Sequence, residues 1–412
     1  MKKNSVIHRS QIEYFLFIIC LYIFVFQLAV QSHTKIFQYW DEFYSSLFFL
    51  FVVIKGAKRF TIKVEDAKIV ILGFVILVMG LISNVLFGYQ KFSAVFADIF
   101  LNFKFLLSIC VSFFLFHNLD FEYFRGKILR HVKVLTFFLF AVLVINKIHR
   151  FMPGADKRFG MISESLFYSH PTELASVSFL LLLLLVLFKS NKKQDLLFCF
   201  MAVILTCASL RTKAIATICI FILLYYLIIV KDKKISFRYL IFLIPLVIII
   251  GWEQISFYFF SSQSMEMARG ALQVTSAKIA KDFFPFGTGF GTFGSYYSGV
   301  SYSPVYALYG ISSVWGLLEA NPMYICDTYW PMILAQTGII GLICMVMLVV
   351  LLLKKIQKLY RYDKLIYLAG ISAIGYLLIS STSESAFTNP LAMPLAMVIG
   401  IVFIIQDQKI KL

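Results

Sequence analysis

The sequence predicts an all-α polytopic integral membrane protein with about 12 transmembrane helices, forming one transmembrane domain over residues 1–412. Three observations carry that expectation. Hydrophobic residues make up 60% of the chain and charged residues only 14%, against about 45–50% and 25% in soluble domains. Apolar stretches able to cross about 30 Å of hydrocarbon recur along the whole length. Lys and Arg fall in short clusters between those stretches, so the net charge of +17 reads as a topology signal and not as a nucleic-acid footprint.

The stretches lie at 12–30, 36–54, 67–87, 92–116, 128–146 and 172–188, then at 196–210, 214–230, 239–252, 329–353, 365–382 and 391–405. The second, seventh and ninth are short or interrupted. The first follows Lys2, Lys3 and Arg9 as a signal peptide would, but it runs to Val30 and further spans come after it, so it reads as a retained helix. Cys20, Cys110, Cys199, Cys207, Cys219 and Cys344 lie inside apolar runs, and no CxxC pair occurs. Neither a disulfide framework nor a zinc knuckle is indicated.

Placing the N-terminus inside assigns 26 Lys and Arg to inner segments and 11 to outer ones, with Lys104 within a span. Cytoplasmic segments carry the basic excess, so both ends are expected in the cytoplasm. Residues 147–170 alone break the bias. Two outer segments exceed what a hairpin needs: 147–171, and 253–328 between the ninth and tenth spans. Within the larger, Ala268, Leu272, Thr275, Ile279 and Phe283 recur at three- and four-residue spacing, the stripe of an amphipathic helix that Pro285 ends.

Directly after it, glycine alternates through Gly287, Gly289 and Gly291, and Gly294 follows three residues later. Such a segment lets backbone approach a ligand or other backbone closely, so it reads either as a substrate loop or as a tight turn seating the outer segment on the bundle. It lacks the Gly-Lys-Ser/Thr of a P-loop. Arg158, Arg211 and Arg269 are outer-side arginines of the kind a membrane enzyme needs to neutralise a lipid pyrophosphate leaving group. Their plain alternatives are interface anchors and solvated positions. Asp327, His170 and Glu173 are the acid–base candidates, with helix capping as the plain alternative for each. His33, His149 and His170 share no metal-ligand spacing. Asp98 and Asn102 share a helix face within the fourth span, and Lys104 points elsewhere.

Taken in order, Ser209-Leu210-Arg211-Thr212, Arg269, the segment Pro285 to Phe293, Asp327-Thr328-Tyr329 and Leu334 to Leu342 resemble the bacterial O-antigen polymerase and O-antigen ligase superfamily. The stretch from Arg158 to Thr172 is similar to that family's earlier outer loop. The resemblance covers Arg158 to Leu342 and implies a GT-C-like arrangement in a bacterial plasma membrane. It further implies inverting glycosyl transfer between undecaprenyl-pyrophosphate-linked oligosaccharides at the outer face. Arg211 and Arg269 would hold the pyrophosphate with Arg158 and Lys213 in support, and Asp327, or else His170 or Glu173, would take the acceptor proton. No cofactor or metal is expected. The expected partners are the lipid-linked oligosaccharide, the bilayer, and a chain-length regulator and flippase of the same pathway. Family ligases carry histidine where this chain has Asp327, which favours a polysaccharide polymerase over a ligase. A flippase of lipid-linked sugars is the alternative from another class.

Overall fold

The computed structural model describes residues 2–30, 34–55, 64–190, 193–235 and 264–410. The expected ninth span at 239–252, residues 253–263 of the large outer segment, and His33 lie outside the described residues. Most of the rest is helical, because a backbone in hydrocarbon must satisfy its own hydrogen bonds within the segment. In chain order the principal helices are α1 (Lys2–Val30), α2 (Trp40–Lys55), α3 (Val64–Phe87), α4 (Phe92–Phe116), α5 (Phe121–Ile148) and α6 (Pro171–Leu187). Then come α7 (Lys193–Ala208), α8 (Thr212–Tyr225, continued by a π-turn over Tyr226–Val230), α9 (Ala268–Asp282), α10 (Trp330–Gln357), α11 (Lys364–Ser380) and α12 (Ala392–Ile410).

Among the described residues, 7 helices are long and apolar enough to cross a membrane, those in α1, α3, α4, α5, α8, α10 and α12. Two more, α6 and α11, are apolar but shorter. Helices also stand at the second and seventh expected positions, yet α2 and α7 have only 16 residues each, about 24 Å of helix. The chain is thus a multi-pass membrane protein whose helices follow the apolar runs.

Burial separates the layers. Every residue of α6 except Glu173 is buried, as expected of a helix apolar on all sides. It forms the centre of the bundle together with α11 and α12. At the periphery α3 exposes Val70, Phe74 and Val85, the last at 84%, an apolar exterior suited to lipid. Lys104, fully buried on α4, meets Asp41 of α2 at 2.5 Å, and Gln27 of α1 holds the other Asp41 oxygen at 2.8 Å. The intramembrane lysine is therefore a structural partner that ties three helices.

The expected stripe is the buried face of α9: Ala268, Leu272, Thr275 and Ile279 are covered, and Phe283 packs beside them. These residues join Phe293, Val305, Tyr306, Ile311, Leu317 and Ile325 in a small hydrophobic core of the segment's own. The alternating glycines then seat that segment on the bundle. Thr288 and Gly289 donate their amides to the carbonyls of Ala335 and Gln336 at 2.8 and 2.9 Å. Asn84 of α3 bonds both N and O of Phe290, and Ser83 donates to Phe286 O at 2.8 Å. α10 yields to this insertion: Gly338 sits at φ 66°, ψ −170°, breaking the helix. A Cβ there would lie 2.0 Å from Pro285 O.

Candidate functional site

Four segments converge at one end of the bundle. The first is residues 147–171, whose β-hairpin pairs β1 (Lys157–Arg158) with β2 (Met161–Ile162). Buried Glu164 anchors the segment: its amide donates to Ala208 O at 3.0 Å, and its carboxylate takes Lys147 at 2.6 Å and Asn146 at 2.9 Å. The second is the α7–α8 turn, in which Leu210 is held at φ 50°, a left-handed conformation that disfavours a side-chain-bearing residue. Phe159 and Leu166, in the first segment, share it at φ 50° and 52°. Strain of this kind persists only where surrounding contacts enforce it.

Asp156, from the first segment, bridges the two. It accepts from Arg211 at 3.0 and 3.3 Å and from Arg158 at 2.8 Å, and Ser163 also donates to it. Burial would push this carboxyl up, but Ser163 and the guanidinium groups of Arg158 and Arg211 pull it down to about 2. Arg211 Nε is buried with no hydrogen-bond partner among the described residues.

The third segment is the approach to α10, and the fourth is the turn after α11. Asp327 accepts from Arg269 of α9 at 3.0 Å through Nε and 2.9 Å through Nη2. Asp327 is thus a partner of Arg269 and does not cap α10, whose N-cap is Tyr329. Glu384 pairs with Lys213 at 2.6 Å. The two segments are laced together by Ser385 N to Cys326 O at 3.0 Å and Trp330 Nε1 to Ser381 Oγ at 2.9 Å.

Lys213 and Glu384 join the clusters electrostatically, because both act on His170 and on Asp327. Burial, then Arg211 and Lys213, lowers the His170 pKa, so the neutral ring prevails at pH 7. Its Nδ1 accepts the Thr172 amide at 3.2 Å as the N-cap of α6, with Pro171 behind it. Asp327 is displaced the other way, raised by burial although Arg269 opposes the rise.

Of the residues expected from the sequence, Arg158, Arg211, Lys213, Arg269, Asp327 and His170 come together here. Glu173 turns instead to Ser169, accepting its amide at 3.1 Å and its hydroxyl at 2.9 Å. Gly287, Gly289 and Gly291 approach protein: Gly287 meets α10, Gly289 meets Asn84, and the Gly291 amide bonds Asp98 at 2.7 Å. Sequence reasoning missed Asp156 and Glu384. Asp156 directly precedes Lys157 and Arg158, and Glu384 is the one acid in a hydroxyl-rich stretch, a signal that charge balance offers. Among the described residues no group of three or more His, Cys, Asp and Glu side chains is placed to hold a metal.

Comparison with family models finds no match, and no curated protein matches the chain. The class of protein defined by fold and site is a multi-pass helical membrane protein with a charged cluster of paired cations and carboxylates at one end.

Proposed function

We propose that this protein is a polysaccharide repeat-unit polymerase, a membrane glycosyltransferase acting on lipid-pyrophosphate-linked oligosaccharides. The observation that carries the reading is the meeting of Arg211, Lys213 and Arg269 at one end of an apolar bundle, each paired with a carboxylate. A diphosphate competes well for such groups because it accepts several charge-assisted hydrogen bonds at once. The lipid-facing helix surfaces suit its polyprenyl tail.

In the proposed transfer, an acceptor hydroxyl of the incoming lipid-linked unit attacks the reducing-end carbon of the growing chain. The bond from that carbon to the pyrophosphate oxygen breaks, and lipid pyrophosphate leaves with its charge held by Arg211 and Arg269. Asp327 accepts the hydroxyl proton, and its raised pKa suits a base. Displacement by the pyrophosphate at Arg269 would release Asp327 for that role. The apolar stretches and the Lys and Arg distribution support about twelve spans, and the resemblance to the O-antigen polymerase and ligase superfamily implies a GT-C-like arrangement. The same distribution supports cytoplasmic termini and a site on the opposite face, and the resemblance implies that the membrane is a bacterial plasma membrane. Asp327, standing where the similar ligases carry histidine, supports polymerisation over attachment of finished polymer.

A flippase is the second reading, favoured by the broken α10 and by Asp98 buried beside it, since transporters build sites on discontinuous helices. Proteoliposomes supplied with lipid-linked repeat units separate these readings. A polymerase lengthens the saccharide into a ladder. Movement of units between leaflets at unchanged length supports a flippase and sinks the proposal, as does consumption of preformed polymer without elongation.

A further inference from the structure

Asp98 of α4 is fully buried and makes no salt bridge with any described residue. Its Oδ2 accepts the Gly291 amide at 2.7 Å and Asn102 Nδ2 at 3.2 Å, and the Ser295 and Gln336 side chains also donate towards the same carboxylate. Three oxygens here are buried with no hydrogen-bond partner among the described residues: Asp98 Oδ1, Asn102 Oδ1 and Gln336 Oε1.

The amide orientations follow from their nitrogens. Asn102 Nδ2 donates to Asp98, and Gln336 Nε2 donates to Phe293 O at 2.9 Å. Turning either amide over would forfeit those bonds, so acceptor oxygens are what remain. The surrounding charge does not offset them. Tyr297 and Cys326 feel the Asp98 charge, and the other ions acting on them, Glu42 and Asp327, are themselves acids. Lys104 is committed to Asp41 at 2.5 Å and Glu42 at 3.3 Å. An unsatisfied buried acceptor costs about 1–3 kcal/mol, and an unpaired buried carboxylate costs more.

One positive ligand within reach of all three oxygens would satisfy them together. We propose that Asp98, Asn102 and Gln336 form a binding site for a single small monovalent cation, with sodium as the fitting ion. The donors are hard oxygens, which suit alkali and alkaline-earth ions over transition metals. One carboxylate and two neutral amides balance a single positive charge, whereas calcium sites usually gather several carboxylates. Gln336 stands two residues before the break at Gly338, and discontinuous helices in membranes offer such groups to cations. The ion would clasp α4 to α10 and to the glycine-rich segment. The inference does not rest on the proposed function.

The test uses the full-length protein in nanodiscs at pH 8, unfolded thermally in choline chloride with increasing sodium or potassium chloride at constant total salt. The expected result is a saturable rise in Tm with sodium, on the order of 3 °C or more, absent from Asp98→Asn. Should that variant fail to fold, Asn102→Leu and Gln336→Met keep the test alive by raising the half-saturating sodium concentration about tenfold. A Tm indifferent to sodium overturns the proposal in either form. Falling stability with rising pH would then assign a proton to Asp98, and a flat response would assign water to the site.

Discussion

At the residue scale, the cluster is governed by which cation each carboxylate holds and how far burial moves it. Asp327 is raised from the ordinary 3.8 of an aspartate, by burial first, so as a base it is lost to protonation earlier than a free aspartate. Elongation rate should therefore fall with decreasing pH along an acid limb lying above 3.8, and Asp327→Asn should abolish elongation at every pH. Unaltered chain lengths in the Asp327→Asn variant would remove this carboxylate as the base. His170 gives a separate stability prediction. Because its folded pKa is lowered by burial, Arg211 and Lys213, the unfolded chain takes up a proton that the folded chain resists. Stability should rise as pH climbs through the depressed value towards 6.5, while the α6 cap, worth about 1 kcal/mol, is regained. His170→Asn keeps an acceptor at that cap without titrating, so its Tm should lose this increment between acid and neutral pH.

At the element scale, the break in α10 and the glycine-rich insertion form one unit. Each opens the space that the other fills: a Cβ on Gly287 would lie 2.5 Å from Ala335 O, and one on Gly338 would lie 2.0 Å from Pro285 O. Gly338→Ala combines that clash with a backbone conformation, φ 66° and ψ −170°, that is essentially confined to glycine and costs about 1–3 kcal/mol by itself. The variant should lose thermal stability and monodispersity in detergent far more than Gly375→Ala, a helical glycine whose Cβ would meet nothing within 4 Å. Equal behaviour of the two would show that the interlock contributes little. The helices and the amphipathic stripe of α9 were legible because apolar periodicity is a local property. The interlock was not, since alternating glycines show that close approach is needed without naming its partner. The same limit applied to Arg211 and Lys213. Their chemistry was readable, but Asp156 and Glu384 lie 55 and 171 positions away from Arg211 and Lys213, and only folding brings them together.

At the scale of the whole molecule, the bundle divides its charges by role. Lys104 and Asp41 are buried between helices as an internal tie. Arg211, Lys213 and Arg269 collect at one end, where each is held by a carboxylate and remains partly accessible, with side chains 11%, 17% and 30% exposed. An apolar exterior below such a cluster matches a substrate that is charged at its head and greasy along its tail. The central claim is that Arg211 and Arg269 grip that diphosphate together as the transfer proceeds. Its most direct test is the elongation rate of Arg211→Ala and Arg269→Ala, each purified, shown to be folded, and supplied with lipid-linked repeat units. The account predicts a loss on the order of 100-fold or more for each variant. Elongation at the wild-type rate by either one would contradict it.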